Sequence, residues 1–302
     1  MIKEKIIIFD WTYFIHQSIY SYNASMTRKQ QSLTPDEILV LPSTYIAMTS
    51  LIGCLKKVGL NDEVGDKVIL ACDGRHSWRK EIEIQYKANR QEQRQQAQFV
   101  DWEKEYFNHN QLIEKIENNL PFFTIKIETI EADDIIAETC RFFSDKEVII
   151  VSPDHDFDQL LNLDNVKIFS PHPHKNIKSC PYRILDLDRN KEKEKAYKSL
   201  MKKIRKETAD NLVSEILTEE DYDKREKCIS LLKLPKEVVE KIKPYLEKIS
   251  ITSKEFFIVA LFSPGIQKRM NNIWDNNNLI TYDYCKKLFE KRLLRKKNRK
   301  EE

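Results

Sequence analysis

Short, nearly unbroken apolar runs punctuate the first half of the chain: Ile6 to Phe9, Val68 to Cys72 and Val148 to Val151. Each is four or five residues long and largely β-branched, the pattern of strands covered on both faces in a parallel sheet. Phe123 to Ile127 and Val166 to Phe169 extend the series. Between the runs, apolar residues recur at helical spacing, as in Tyr45, Met48, Leu51, Ile52 and Leu55, and again from Ile135 to Phe143. Strand and helix patterns that alternate predict β-α-β units: an α/β fold whose mostly parallel sheet carries helices on both faces.

Two regions depart from this rhythm. From about residue 75 to 119 the chain turns polar, with Arg, Lys and Gln interleaved by aromatics, which predicts a basic helical insertion. After Tyr182 strand signals cease and the sequence becomes Lys-rich and helical, with breaks expected near Pro235, Pro244 and Pro264. The expected organisation is a core over residues 1–185 and a helical domain over 186–302, ending in a basic tail from Lys291. A chain of 302 residues is long enough for both.

Composition removes several alternatives. Only five glycines occur, none in a dinucleotide fingerprint or a P-loop, so a nucleotide cofactor on a glycine turn is excluded. The six cysteines stand singly, without the spacing of a zinc site, and read as reduced thiols. The apolar run after Met1 is too short for a signal peptide or a membrane span, so a cytoplasmic protein with no membrane partner is expected.

Charge adds chemistry through its distribution, since 51 Lys+Arg against 48 Asp+Glu nearly cancel. Three apolar runs lead into aspartates: Asp10, Asp73 and, beyond Ser152-Pro153, Asp154. In an open parallel sheet the functional crevice lies outside the carboxyl ends of the strands, so these side chains are expected to share one edge. Glu131, Asp133 and Asp134 open the next helix, and Asp156 follows Asp154. The ten carboxylates from Glu131 to Asp164 face only Arg141 and Lys146 within that stretch. Hard oxygen donors without His or Cys suit Mg²⁺ or Mn²⁺, and two such ions suit phosphodiester hydrolysis. A single aspartate at a strand end is more often a turn or cap residue, so the reading rests on the set.

In order and spacing, Ile8-Phe9-Asp10, Cys72-Asp73-Gly74, Tyr86-Lys87-Ala88-Asn89-Arg90, Glu131-Ala132-Asp133-Asp134 and Ser152-Pro153-Asp154-His155-Asp156-Phe157 resemble the 5′ nuclease (flap endonuclease) family, in particular its T-even phage ribonuclease H branch. The resemblance covers roughly residues 5 to 215. It implies Asp10, Asp73, Glu131 and Asp133 as ligands of a first Mg²⁺, with Asp154 and Asp156, helped by Asp133, holding a second and Mn²⁺ as a substitute. Asp210, in Lys206-Glu207-Thr208-Ala209-Asp210-Asn211, fits a further family ligand, while Lys206 and Glu207 depart from the family's glycine and aspartate. Asp134 and Glu207 are assigned to the surroundings of the ions. Residues 212–234 lack the glycine of the family's helix-hairpin-helix, so no potassium site is expected.

The resemblance further implies Lys87 and Arg90 as catalytic groups at the scissile phosphate and Tyr86 as a stacking partner for the terminal base. Arg75, Arg79 and Lys80, amid aromatics, read as contacts to a single strand, with a solvated helix face as the plain alternative. The eight Lys and Arg between Lys191 and Lys206 would track duplex phosphates. The expected activity is 5′ to 3′ hydrolysis of DNA and RNA·DNA at free 5′ ends or flaps, as in primer removal, by a monomer in host cytoplasm. A single-strand-binding protein or sliding clamp is a partner by resemblance only. The rivals are a PIN-type ribonuclease and a non-catalytic binder of branched DNA.

Overall fold

The computed structural model describes residues 4–38, 40–60, 65–83, 86, 97, 99–171, 182–183 and 227–252. Five parallel strands, β1 (Lys5–Asp10), β2 (Lys67–Cys72), β3 (Phe123–Lys126), β4 (Glu147–Val151) and β5 (Val166–Phe169), are joined by a short antiparallel β6 (Tyr182–Arg183), in the order β3-β2-β1-β4-β5-β6. Ile8 of β1 pairs with Ile69 on one side and Ile150 on the other. The chain moves outward from β1 through β2 to β3, then crosses back to β4. The switch in direction therefore falls beside β1, where a crevice is expected.

The helices are α1 (Trp11–Gln30), α2 (Ser43–Val58), α3 (Arg79–Ile82), α4 (Trp102–Asn119), α5 (Ala132–Phe142) and α6 (Lys236–Ile251), with a 3₁₀ segment over His155–Asn162. None among the described residues is long and apolar enough to cross a membrane. Two compact units share these elements. One comprises Met1–Tyr13, Cys54–Arg90 and Phe123–Lys254; the other comprises Phe14–Gly53, Gln91–Phe122 and Glu255–Glu302. We refer to them as the sheet unit and the helical unit.

One face of the sheet offers Ile6, Ile8, Ile69, Ile125, Val148, Ile150 and Ile168 to a single apolar core. Ile135, Ile136 and Cys140 of α5 cover it, with Phe157 and Leu160 of the 3₁₀ segment. Helix α6 adds Val238, Ile242, Leu246 and Ile249, a stripe at helical spacing. Residues 227–252, expected in a separate helical domain, thus belong to the sheet unit. Pro235 precedes α6, but the expected break at Pro244 is absent: the helix runs through it, because Ile242 and Leu246 on either side are both held in the core. The ammonium of Lys67 secures the end of α6, donating to the carbonyls of Ile249, Ser250 and Thr252 at 2.7, 3.0 and 3.2 Å.

The expected basic insertion also changes character. Of its two described helices, α3 lies in the sheet unit, whereas α4 lies in the helical unit and carries four glutamates against two lysines. Four of the cysteines, Cys54, Cys72, Cys140 and Cys228, are buried.

Candidate metal and nuclease site

Because β1, β2 and β4 run parallel, the residues at their carboxyl ends share an edge. Asp10 ends β1, Asp73 follows β2 directly, and Asp154 lies three residues past β4. Asp10 is buried, its Oδ1 accepting the Tyr13 amide at 3.0 Å and its Oδ2 the Ser152 hydroxyl at 3.1 Å. Burial, and next the charges of Asp73 and Asp154, push its carboxyl up to about 7, against the lowering effect of those hydrogen bonds. The charges of Asp73 and Asp154 thus both act on Asp10.

Each neighbour is aimed by the fold. Thr12 Oγ1 accepts the Asp73 amide at 2.9 Å, and Asp73 Oδ1 accepts the Ala132 amide at 2.8 Å, capping the start of α5. Asp154 Oδ1 accepts the Asp156 amide at 2.9 Å, and Ser152 Oγ accepts the Asp154 amide at 3.2 Å. Glycine at position 74 is dictated by close approach: a Cβ there would lie 2.0 Å from the Ile127 carbonyl oxygen and 2.4 Å from that of Glu128. The loop after Asp73 is stitched to residues 128–130 by amides of Gly74, His76 and Trp78, which donate to Ile130, Glu128 and Thr129 at 2.8, 3.1 and 3.0 Å.

Glu131 and Asp134 open α5 and meet Arg79. The guanidinium donates through Nη1 to Glu131 Oε2 and Asp134 Oδ2, both at 2.9 Å, and through Nη2 to Asp134 Oδ1 at 2.7 Å. Arg79 was expected to contact nucleic acid; it is instead 1 % exposed. The surplus of acid around α5 requires a counter-charge, and Arg79 supplies it. Burial alone would lower its pKa, but the charge and hydrogen bonds of Asp134, with Tyr86 and Glu131, raise it. Arg75 and Lys80 are exposed. Tyr86 donates its hydroxyl to Glu131 Oε2 at 3.1 Å, and burial followed by the Glu131 charge raises its pKa. Asp133 and Asp156 are half-buried. Lys87, Arg90, Glu207 and Asp210 lie outside the described residues. In the sequence Thr12 carries no signal and Ser152 only its place between a strand end and Pro153, while Trp78, expected among the aromatics that stack on bases, is buried with its indole N–H on Asp134.

A family model described as 5′-3′ exonuclease, N-terminal resolvase-like domain, matches residues 5–195. The chain belongs to this 5′-3′ exonuclease family. Among relatives of this chain, ribonuclease H of Enterobacteria phage T4 is 34 % identical over 116 residues, which cover 37 % of this chain and 38 % of the phage protein. The matched stretch thus spans under two fifths of that relative. Solved structures similar to this chain include bacteriophage T5 D15 flap endonuclease with DNA and metal ions, 16 % identical with a TM-score of 0.47, and T5 D15 protein co-crystallised with metal ions, 16 % identical with a TM-score of 0.44. Each match covers 82 % of this chain and 100 % of the other.

Proposed function

We propose that this exonuclease-family chain is a divalent-metal-dependent 5′ nuclease that cuts DNA and RNA·DNA at free 5′ ends or flaps, including RNA primers. One observation carries the reading: Asp10 is buried at the carboxyl edge of the sheet and raised to about 7 beside Asp73 and Asp154. Like charges so placed are relieved by a cation, and carboxylate oxygens without imidazole or thiolate fit Mg²⁺ or Mn²⁺. Among the described residues no three His, Cys, Asp or Glu side chains are gathered into one metal-holding group.

In this reading Asp10, Asp73, Glu131 and Asp133 hold one ion, Asp154 and Asp156, with help from Asp133, hold a second, and Asp210 is a further ligand. Bound Mg²⁺ would supply Lewis-acid stabilisation of the phosphate and a more acidic water. The protein's own residues orient the donors: Ser152 and the Tyr13 amide fix Asp10, while Thr12 and Ala132 fix Asp73. Lys87 and Arg90 would meet the scissile phosphate, Tyr86 the terminal base, and Arg75 and Lys80 the strand that carries them. A 5′-labelled flap incubated with Mg²⁺ should release short 5′ products that chelator suppresses. Equal cleavage in chelator, or none with either Mg²⁺ or Mn²⁺, would overturn the proposal.

A further inference from the structure

Arg79 uses its guanidinium on three separate groups. Besides Glu131 and Asp134, Nε donates to the Cys228 carbonyl at 2.8 Å. The cation lies 4.6 Å from the centre of the Trp78 ring, whose indole N–H donates to Asp134 Oδ2 at 2.8 Å. Asp134 Oδ2 also accepts the Glu131 amide at 3.3 Å, so side chain and backbone of Glu131 belong to one network.

Stability alone does not account for this arrangement. Buried ion pairs gain little over apolar packing of similar volume, since desolvation offsets their attraction. What a guanidinium adds is direction: its planar fork engages both oxygens of Asp134 while Nη1 also reaches Glu131. The Arg79 and Tyr86 donors fall on the same oxygen of Glu131, Oε2, which fixes the rotation of that carboxylate. One guanidinium between two carboxylates also leaves a negative charge in excess, as a cation ligand requires.

We propose that Arg79 is a positioning residue of the nuclease edge, acting through Glu131 to aim a metal-binding carboxylate rather than by touching nucleic acid. The proposal rests on the metal-dependent reading above. Groups that orient a ligand typically contribute ten- to hundredfold to metal affinity. Lysine keeps the charge but loses the fork.

The test is titration of the full chain with Mn²⁺ alone, followed by calorimetry, beside flap binding in chelator. Arg79→Lys should weaken Mn²⁺ binding roughly ten- to hundredfold, leave flap affinity in chelator unchanged, and recover most of its cleavage rate at saturating Mn²⁺. In a Glu131→Gln background the same change should have no further effect on Mn²⁺ affinity, because its route is gone. A lower melting temperature with undiminished Mn²⁺ affinity would reduce Arg79 to packing and overturn the proposal. So would a loss of flap affinity in chelator with Mn²⁺ binding intact, the signature of a phosphate contact. If Arg79→Lys fails to fold, the neutral pair Arg79→Gln with Asp134→Asn must show the Mn²⁺ loss, and wild-type affinity in that pair overturns the proposal. A wild-type chain that binds no Mn²⁺ and cuts no flap removes the nuclease reading itself, a result visible before any substitution is made.

Discussion

The two units bury polar groups by different means. In the sheet unit, Asp10 is enclosed beside Asp73 and Asp154, while Arg79 counters Glu131 and Asp134 nearby. In the helical unit the buried His109 imidazole is kept neutral beside the Ser43 hydroxyl. Ser43 Oγ, at the start of α2, donates to Glu105 of α4 and lies 3.0 Å from His109 Nε2. With the serine hydrogen committed to Glu105, His109 must be the donor through Nε2, which leaves Nδ1 bare. That atom is buried with no partner among the described residues. Burial, and then the nearby His16, lower the imidazole pKa to about 3. The contrast teaches where charge is tolerated: the helical unit keeps its imidazole neutral, whereas the sheet unit gathers like charges at an edge suited to receive a cation.

The contrast breaks most visibly in catalysis. Asp73→Asn should cost cleavage two orders of magnitude or more, since the charge it helps to place accounts for several kcal/mol of transition-state stabilisation, on the order of a factor of ten per 1.4 kcal/mol. Its amide oxygen can still accept the Ala132 N–H, so the fold should survive. Ser43→Ala should leave the single-turnover flap rate near wild type. Equal losses in both variants would erase the distinction between the units.

Gly74→Ala should lower unfolding free energy by about 2–3 kcal/mol, because a backbone oxygen, not a yielding side chain, occupies the space. Urea titration measures this, and an unchanged midpoint would show that residues 127–128 move aside freely.

The third effect is pH-dependent and belongs to the helical unit. The folded pKa of His109 lies below its unfolded value near 6.5, so the unfolded chain takes up the proton first. Its stabilising contribution is therefore full above about 6.5 and declines by up to about 1.4 kcal/mol per pH unit toward pH 3. His109→Gln, which can still donate to Ser43, should flatten that decline in denaturation midpoints measured from pH 7 to 5. An unaltered slope would assign it to other groups.

The smallest expected effect sharpens the other side. In chelator, Asp10→Asn should raise the melting temperature by about 2–4 °C, the size of ~1 kcal/mol in a chain of this length, and should shrink the rise that Mn²⁺ produces. A lower melting point with a full Mn²⁺ response would show that Asp10 is a structural cap.

Much of the sheet unit was legible because its signals are local. Ile6 to Phe9, Val68 to Cys72 and Val148 to Val151 become β1, β2 and β4, extended by a residue or two at their polar ends. The aspartates were readable because parallel strands force their carboxyl ends together. Helix α1 left less trace: it opens with no acidic residue in its first turn, and its buried apolar face of Trp11, Phe14, Ile15 and Ile19 is confined to its first half. Arg79 was misread because a basic residue among aromatics looks like a phosphate contact, although the excess of acid from Glu131 to Asp164 already demanded a buried partner. The Ser43, Glu105 and His109 cluster joins residues more than sixty positions apart, and no periodicity within either helix announces such a pairing.

The stitched loop after Asp73 has a consequence in time. A segment without regular secondary structure ordinarily exchanges its amide hydrogens quickly, yet here Gly74, His76 and Trp78 donate in alternation to residues 128–130, much as a strand would. The stitching joins the Asp73 loop to the start of α5, whose Ala132 amide Asp73 already holds. Opening the loop must therefore also break the start of α5 from Asp73, and slow exchange at those three amides would report how long this edge stays assembled.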